Sequence, residues 1–125
     1  MRSQALVEFA LAASLFLLLI LGTFDIGRAY LAYTVVSNVA REASRYGAAH
    51  QTQSGWAAAA QQAGVNLAVG IEASAISLAV TTQQIDGLPY ITATGTYHFH
   101  SVTPLVGALL GDPITIQVVT SELAG

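Results

Sequence analysis

The sequence predicts an α+β protein: one long N-terminal helix, a short second helix and a small three-stranded antiparallel sheet. Three observations carry that prediction. From Ala5 to Phe24 the chain is apolar apart from Glu8. Beyond it, apolar residues recur at spacings of three and four as far as Tyr46, the period of one helix face. After residue 74 the period changes to two, the signature of half-buried strands.

The apolar run comes first. Its twenty residues, Ala5 to Phe24, would span roughly 30 Å as a helix, the hydrocarbon thickness of a bilayer. Phe9 to Leu21 is the most apolar part, and Asp25 and Arg28 close it abruptly. A cleaved secretory signal requires a small-residue A-x-A site after a short apolar region; here Asp25-Ile26-Gly27-Arg28 follows instead. A buried helix of a soluble core is better served by ten to fourteen apolar residues. A retained membrane-spanning helix is the reading, with Arg2 on the short flank placing the N-terminus in the cytoplasm by the positive-inside tendency. The chain divides accordingly into residues 1–24, the membrane-spanning half of the long helix, and residues 25–125, the head with the amphipathic half.

The helix continues past Phe24. Ala32, Val36, Val39, Ala43 and Tyr46 line one face. Asp25 and Arg28 are three apart, as are Glu42 and Arg45, so each pair can meet on a helix surface. Gly22 and Gly27 are tolerable points for a bend, Gly47 is the first plausible stop, and no proline intervenes before Pro89. One helix from about Gln4 to about Ala49 follows, roughly 68 Å long.

A polar turn, His50 to Gly55, leads into a second helix within Trp56–Val69, capped by Ser54. Trp56, Ala60, Ala63 and Leu67 share the face expected to lie on the first helix. Ile76, Leu78 and Val80 alternate in the first strand. In the second, Ile91, Ala93, Gly95, Tyr97 and Phe99 face one way, and Thr92, Thr94, Thr96, His98 and His100 the other. Ile114, Ile116 and Val118 repeat the pattern in a third. Turns fall at Asp86-Gly87 and Gly111-Asp112-Pro113, and Thr103–Gly111 reads as a loop with a helical turn. The amphipathic half-helix and the second helix cover one face of the sheet, giving a head on a stalk.

Composition narrows the function. Charged residues make up 9% of the chain against about 25% in ordinary soluble domains. With four arginines, no lysine and a net charge of −3, the chain lacks the basic stripe of a nucleic-acid binder. No cysteine is present, which excludes disulfides, thiolate metal sites and a cysteine nucleophile. His98 and His100 supply at most two ligands where a metal site needs a third. No Ser–His–acid set and no glycine-rich phosphate loop is discernible, so no catalytic residue, metal site or cofactor is expected, and an enzyme is not the reading. After Arg45 the only charged side chains are Glu72, Asp86, Asp112 and Glu122. A surface so poor in charge points to a head that meets identical neighbours, the alternative being a periplasmic or extracellular domain that is simply low in charge. Ala10 and Ser14 offer a small-xxx-small spacing for close helix approach. Tyr30 and Tyr33 stand where interfacial anchors or helix–helix contacts belong.

Glu8 remains. A carboxylate inside a membrane helix is costly and calls for a named partner, although its position near one end lets it snorkel to the interface. Its surroundings are informative. "QALVEFAL", "GTFDIGR" and "NVAREASRYG" together resemble the N-terminal signature of TadE-like pilins, the tight-adherence branch of the type IV pilin superfamily. The matching positions are Gln4–Phe9, Asp25–Arg28 and Ala40–Arg45.

The resemblance implies a pilin-like subunit that polymerises through its hydrophobic helix into an extracellular Tad-type filament, after residence in the inner membrane with its N-terminus inside. It implies identical subunits, a prepilin peptidase and a pilus assembly platform as partners. A cut between Ser3 and Gln4 would make Glu8 the fifth mature residue, and Glu8 would then pair with the new α-amino group of an adjacent subunit. Gln4, Glu8 and Phe9 become the assembly residues on that reading. Two alternatives stay open: a minor or initiating pseudopilin, and a single-pass membrane-anchored binding module that never polymerises.

Overall fold

The computed structural model describes residues 2–102, 104–111 and 113–124. Helix α1 covers Arg2–His50, α2 Trp56–Val65 and α3 Pro104–Leu110; strands β1, β2 and β3 cover Ile76–Ile85, Leu88–Phe99 and Ile114–Leu123. The α+β architecture is the expected one. The 49 residues of α1 amount to roughly 73 Å of helix, unbroken through Gly22 and Gly27.

The sheet is antiparallel with order β1-β2-β3. Ile85 pairs with Leu88 across a two-residue loop, and both loop residues, Asp86 (φ 52°) and Gly87 (φ 79°), take positive φ. A tight hairpin turn whose twist matches the strands requires that, and Asp-Gly provides it at little cost. The second expected turn includes Asp112, which lies outside the described residues; the connection between β2 and β3 holds α3, a seven-residue helix where only a loop with a helical turn was expected. Its composition of Leu, Ala, Val and Gly has no period strong enough to announce it.

β2 runs antiparallel to α1, and the core shows it level by level. Ile91 packs with Ala40 and Ala43, next to Tyr46 and Trp56. Tyr97 and Leu78 pack at Val35, Val36 and Val39. Phe99 and Ile116 pack at Ala32, with Ala29 at the edge. Ala32, Val36, Val39 and Ala43 are all essentially inaccessible, so the face read from their spacing is the buried one. Small residues dominate it because helix and sheet approach closely there.

The second helix departs from expectation in two ways. Its N-cap is Gly55 (φ 73°), with no side-chain cap hydrogen bond; Ser54 lies one residue too early to reach the first free amides. The helix stops at Val65, so Leu67 falls outside it and is 45% exposed. The contact with α1 is made by Trp56, Ala60 and Gly64. A Cβ at Gly64 would lie 2.6 Å from the Val39 carbonyl oxygen and 3.1 Å from Ala43 Cβ, so backbone meets backbone at this crossing and only glycine fits. Gln61 donates from Nε2 to the Leu78 carbonyl at 3.0 Å, fastening α2 to the edge strand.

The outer face of β2 is polar from Thr92 to His98 as predicted, although Ile85, Leu88, Val119 and Leu123 are exposed on the same face of the sheet. Thr92 is buried because β2 is central: its Oγ1 donates to Gln83 Oε1 at 3.1 Å on β1 and lies 3.0 Å from Ser121 Oγ on β3. The strand ends at Phe99, so His100 is not on it.

Candidate functional site

Two regions carry chemistry or interaction potential: the free half of α1, and the junction where the head joins it. The first is defined by exposure. Leu6, Val7, Phe9, Leu11, Leu15, Phe16, Leu17 and Leu19 are all more than half exposed, and none of the most apolar 18-residue window of α1 is buried within the chain. The hydroxyls inside the apolar run are internally satisfied: Ser14 donates to the Ala10 carbonyl and Thr23 to the Leu19 carbonyl, each at 2.8 Å. That back-bonding removes the need for water and leaves a rod whose outer surface is hydrocarbon nearly all round. The Ala10–Ser14 spacing is thus occupied by a hydrogen bond within one helix. Ser3, Gln4, Glu8 and Phe9 all stand exposed, and among the described residues Glu8 forms no ion pair.

The junction is built on Asp25. This carboxylate is 1% exposed, although it sits in the middle of a helix whose neighbours Phe24 and Ile26 are open. Its Oδ1 accepts from Arg28 Nη1 at 3.2 Å. Both its oxygens accept the Val102 backbone N–H, at 3.0 and 3.1 Å. Arg28, itself 40% exposed, lies with Cζ 5.1 Å from the Phe99 ring centroid, within cation–π range. A motif of the first third of the chain therefore clasps the end of β2 and the segment that follows it. The spacing of Asp25 and Arg28 was visible in the sequence. The burial of Asp25 and its partner at Val102, 77 residues away, were not.

Glu42 and Arg45 form the other helix pair, Nη2 to Oε2 at 3.1 Å, with Arg45 73% exposed. An exposed pair of this kind contributes about 0.3–0.5 kcal/mol. Asn38, Arg41 and Leu67 join it around a shallow cleft. Between these two pairs Thr120 of β3 donates to the Ala40 carbonyl at 2.9 Å, with Ser44 Oγ at 3.1 Å. Ser44 donates to the Arg41 carbonyl at 2.9 Å. Tyr30 and Tyr33 are exposed, on the side of α1 away from the head. No cluster of three or more metal-ligating side chains occurs among the described residues.

A long apolar helix that fits membrane anchoring, with its second half embedded in a small α+β head, defines a stalk-and-head protein. Residues 4–45 match the family model described as TadE-like protein. The match bears out the resemblance read from Gln4–Phe9, Asp25–Arg28 and Ala40–Arg45, and it ends inside α1. That family is structural and associated with Tad pili, not enzymatic. No curated protein and no solved structure matches the chain.

Proposed function

We propose that the chain is a structural pilin-like subunit, stored in the inner membrane with its N-terminus in the cytoplasm. It is then extracted and stacked through the first half of α1 into an extracellular Tad-type filament. The observation that carries this reading is the contrast between the two halves of α1: one packed against the head along one face, the other apolar apart from Glu8 and with none of its most apolar window buried. A free apolar rod is stable only in lipid or among copies of itself. Large apolar side chains contribute about 1.5–3 kcal/mol each when fully buried, enough in sum to hold a polymer without covalent links. Contacts of one copy's rod with the next copy's in a head-to-tail sense build open helical assemblies.

Glu8 supplies register in this reading. Cleavage between Ser3 and Gln4 by a prepilin peptidase frees an α-amino group, largely protonated at neutral pH because its pKa lies near 7.7–8.0. Glu8 of one subunit pairs with that amine on the adjacent subunit, with Gln4 and Phe9 flanking the contact. An assembly platform in the membrane provides the extraction. Shearing cells and imaging the released material tests the proposal. Abundant filaments containing this chain are the expected result; trace incorporation into filaments of another subunit marks a minor or initiating pseudopilin, and complete retention in the membrane fraction marks an anchored module and overturns polymerisation.

A further inference from the structure

The antiparallel run of β2 along α1 has a geometric consequence at the base of the head. Phe99 packs at the level of Ala29 and Ala32, whereas Ile91 packs at Ala40 and Ala43. The described part of the β2–β3 connection, residues 100–102 and α3, therefore hangs from the end of the sheet nearest the apolar run. It is fixed there by the Val102 amide on Asp25. It also comes close to α1 lower down: a Cβ on Gly22 would lie 3.9 Å from Val106 Cγ2. Gly22 belongs to the apolar run, three residues or about 4.5 Å of helix rise on the membrane side of Asp25.

The segment at this level is chemically unusual for a surface connection. Residues 104–111, Pro-Leu-Val-Gly-Ala-Leu-Leu-Gly, contain no side chain that ionises or forms a hydrogen bond. Leu109 is 75% exposed, Leu110 68% and Val102 63%. Flanking that side of α1, Leu18 and Leu21 are 37% and 43% exposed. The end of α3 is closed by the Gly111 amide donating to the Gly107 carbonyl at 2.9 Å.

We infer that α3 is a second membrane contact, a short interfacial helix whose Leu109–Leu110 end enters the leaflet on the head's side beside the spanning half of α1. The inference rests on the membrane-anchored reading of residues 5–24 and on nothing in the polymerisation proposal. Its force is that the two placements are linked. With Val102, just ahead of α3, bound to Asp25 and Val106 of α3 facing Gly22, putting the apolar run in hydrocarbon puts Leu109 and Leu110 at the boundary between hydrocarbon and headgroups. Seven residues are too few to cross but suffice to lie in the boundary, where helices bury an apolar side to roughly 5–10 Å. The head is then held against the bilayer at two points, so its tilt is restrained before extraction.

Site-directed spin labelling tests this directly, because the chain has no cysteine and one label reports one position. The full chain is reconstituted in phosphatidylcholine vesicles as Leu109→Cys, Leu110→Cys, Leu19→Cys or Val119→Cys, each checked for native helicity. Accessibility to oxygen, which concentrates in lipid, is compared with accessibility to a water-soluble nickel chelate. The expected oxygen-to-nickel ratio at 109 and 110 is several-fold above that at Val119, on the exposed head, and approaches that at Leu19. A ratio at both positions equal to that at Val119, with Leu19 still lipid-exposed, overturns the inference while leaving the anchor intact. Low accessibility to both reagents also overturns it, by showing a protein partner there, a second copy if the protection vanishes on dilution. A water-exposed Leu19 instead shows that the membrane reading itself has failed.

Discussion

Both carboxylate oxygens of Asp25 accept the backbone N–H of Val102, at 3.0 and 3.1 Å, and the same side chain holds Arg28 at 3.2 Å. One residue thus terminates the apolar run and anchors the base of the head. Replacing Asp25 with Ala removes the acceptor of the part-buried Val102 N–H, a loss of about 1 kcal/mol. Arg28 is 40% exposed and can turn to water, so the penalty of a stranded buried cation is not added. Urea unfolding of the head in detergent should show that loss. Asp25→Asn keeps one carbonyl acceptor and should fall between wild type and Ala, with faster hydrogen exchange at Val102 in both variants.

Gly64 is where α2 crosses α1. A methyl group there would sit 2.6 Å from the Val39 carbonyl oxygen, a backbone atom that cannot swing aside. Gly64→Ala is expected to cost about 1–3 kcal/mol through overpacking, despite the better helix propensity of alanine. The single tryptophan of the chain, Trp56 on the same helix, makes its emission the natural readout: a red shift as α2 lifts from α1. Unchanged stability and emission would mean that the crossing is looser than the distances state.

Thr120 ties β3 to α1 by donating to the Ala40 carbonyl. Thr120→Val preserves shape but removes the donor beside a buried backbone carbonyl and Ser44. About 1 kcal/mol of destabilisation is expected, measured as a lower urea midpoint with unchanged slope. Thr34→Val is the control. Its hydroxyl donates only to the Tyr30 carbonyl of its own exposed helix turn, so the change should be within about 0.5 kcal/mol.

These residues mark how far sequence reasoning reached. The periods of 3.6 and 2 gave the long helix, its buried face through Ala32, Val36, Val39 and Ala43, and the three strands, because periodicity is a local property that burial on one side imposes. The Asp86-Gly87 hairpin was legible for the same reason: positive φ at two successive positions restricts residue type. The Val102 contact of Asp25 and the contacts of Gly64 and Thr120 were not legible, since each depends on a partner distant in sequence. The end of α2 and the extent of α3 were missed because runs of alanine, leucine and glycine carry neither a period nor a capping residue. For the assembly residues, the sequence supplied Glu8 as an anomaly and the resemblance supplied its meaning; the structure adds that the carboxylate stands exposed on the free rod, available to another chain.

That availability leads to the last expectation. In a filament core Glu8 and the α-amino group of the adjacent subunit would be withdrawn from water together, and removing one partner would leave the other charge buried at a cost of about 3–5 kcal/mol. Glu8→Ala should therefore weaken each addition step by roughly a hundredfold or more, since 1.4 kcal/mol corresponds to a factor of ten. Membrane insertion should be unaffected, because the substitution makes the apolar run more uniform. Glu8→Gln separates charge from shape: it keeps hydrogen-bonding capacity but leaves the amine without a counter-charge, so its filament yield should fall close to that of Glu8→Ala. Sheared-filament yield and the membrane content of the subunit, measured together for all three proteins, check this. Wild-type yield from Glu8→Ala would show that register is set by the fit of Phe9 and its apolar neighbours, with the acid a bystander at the membrane surface.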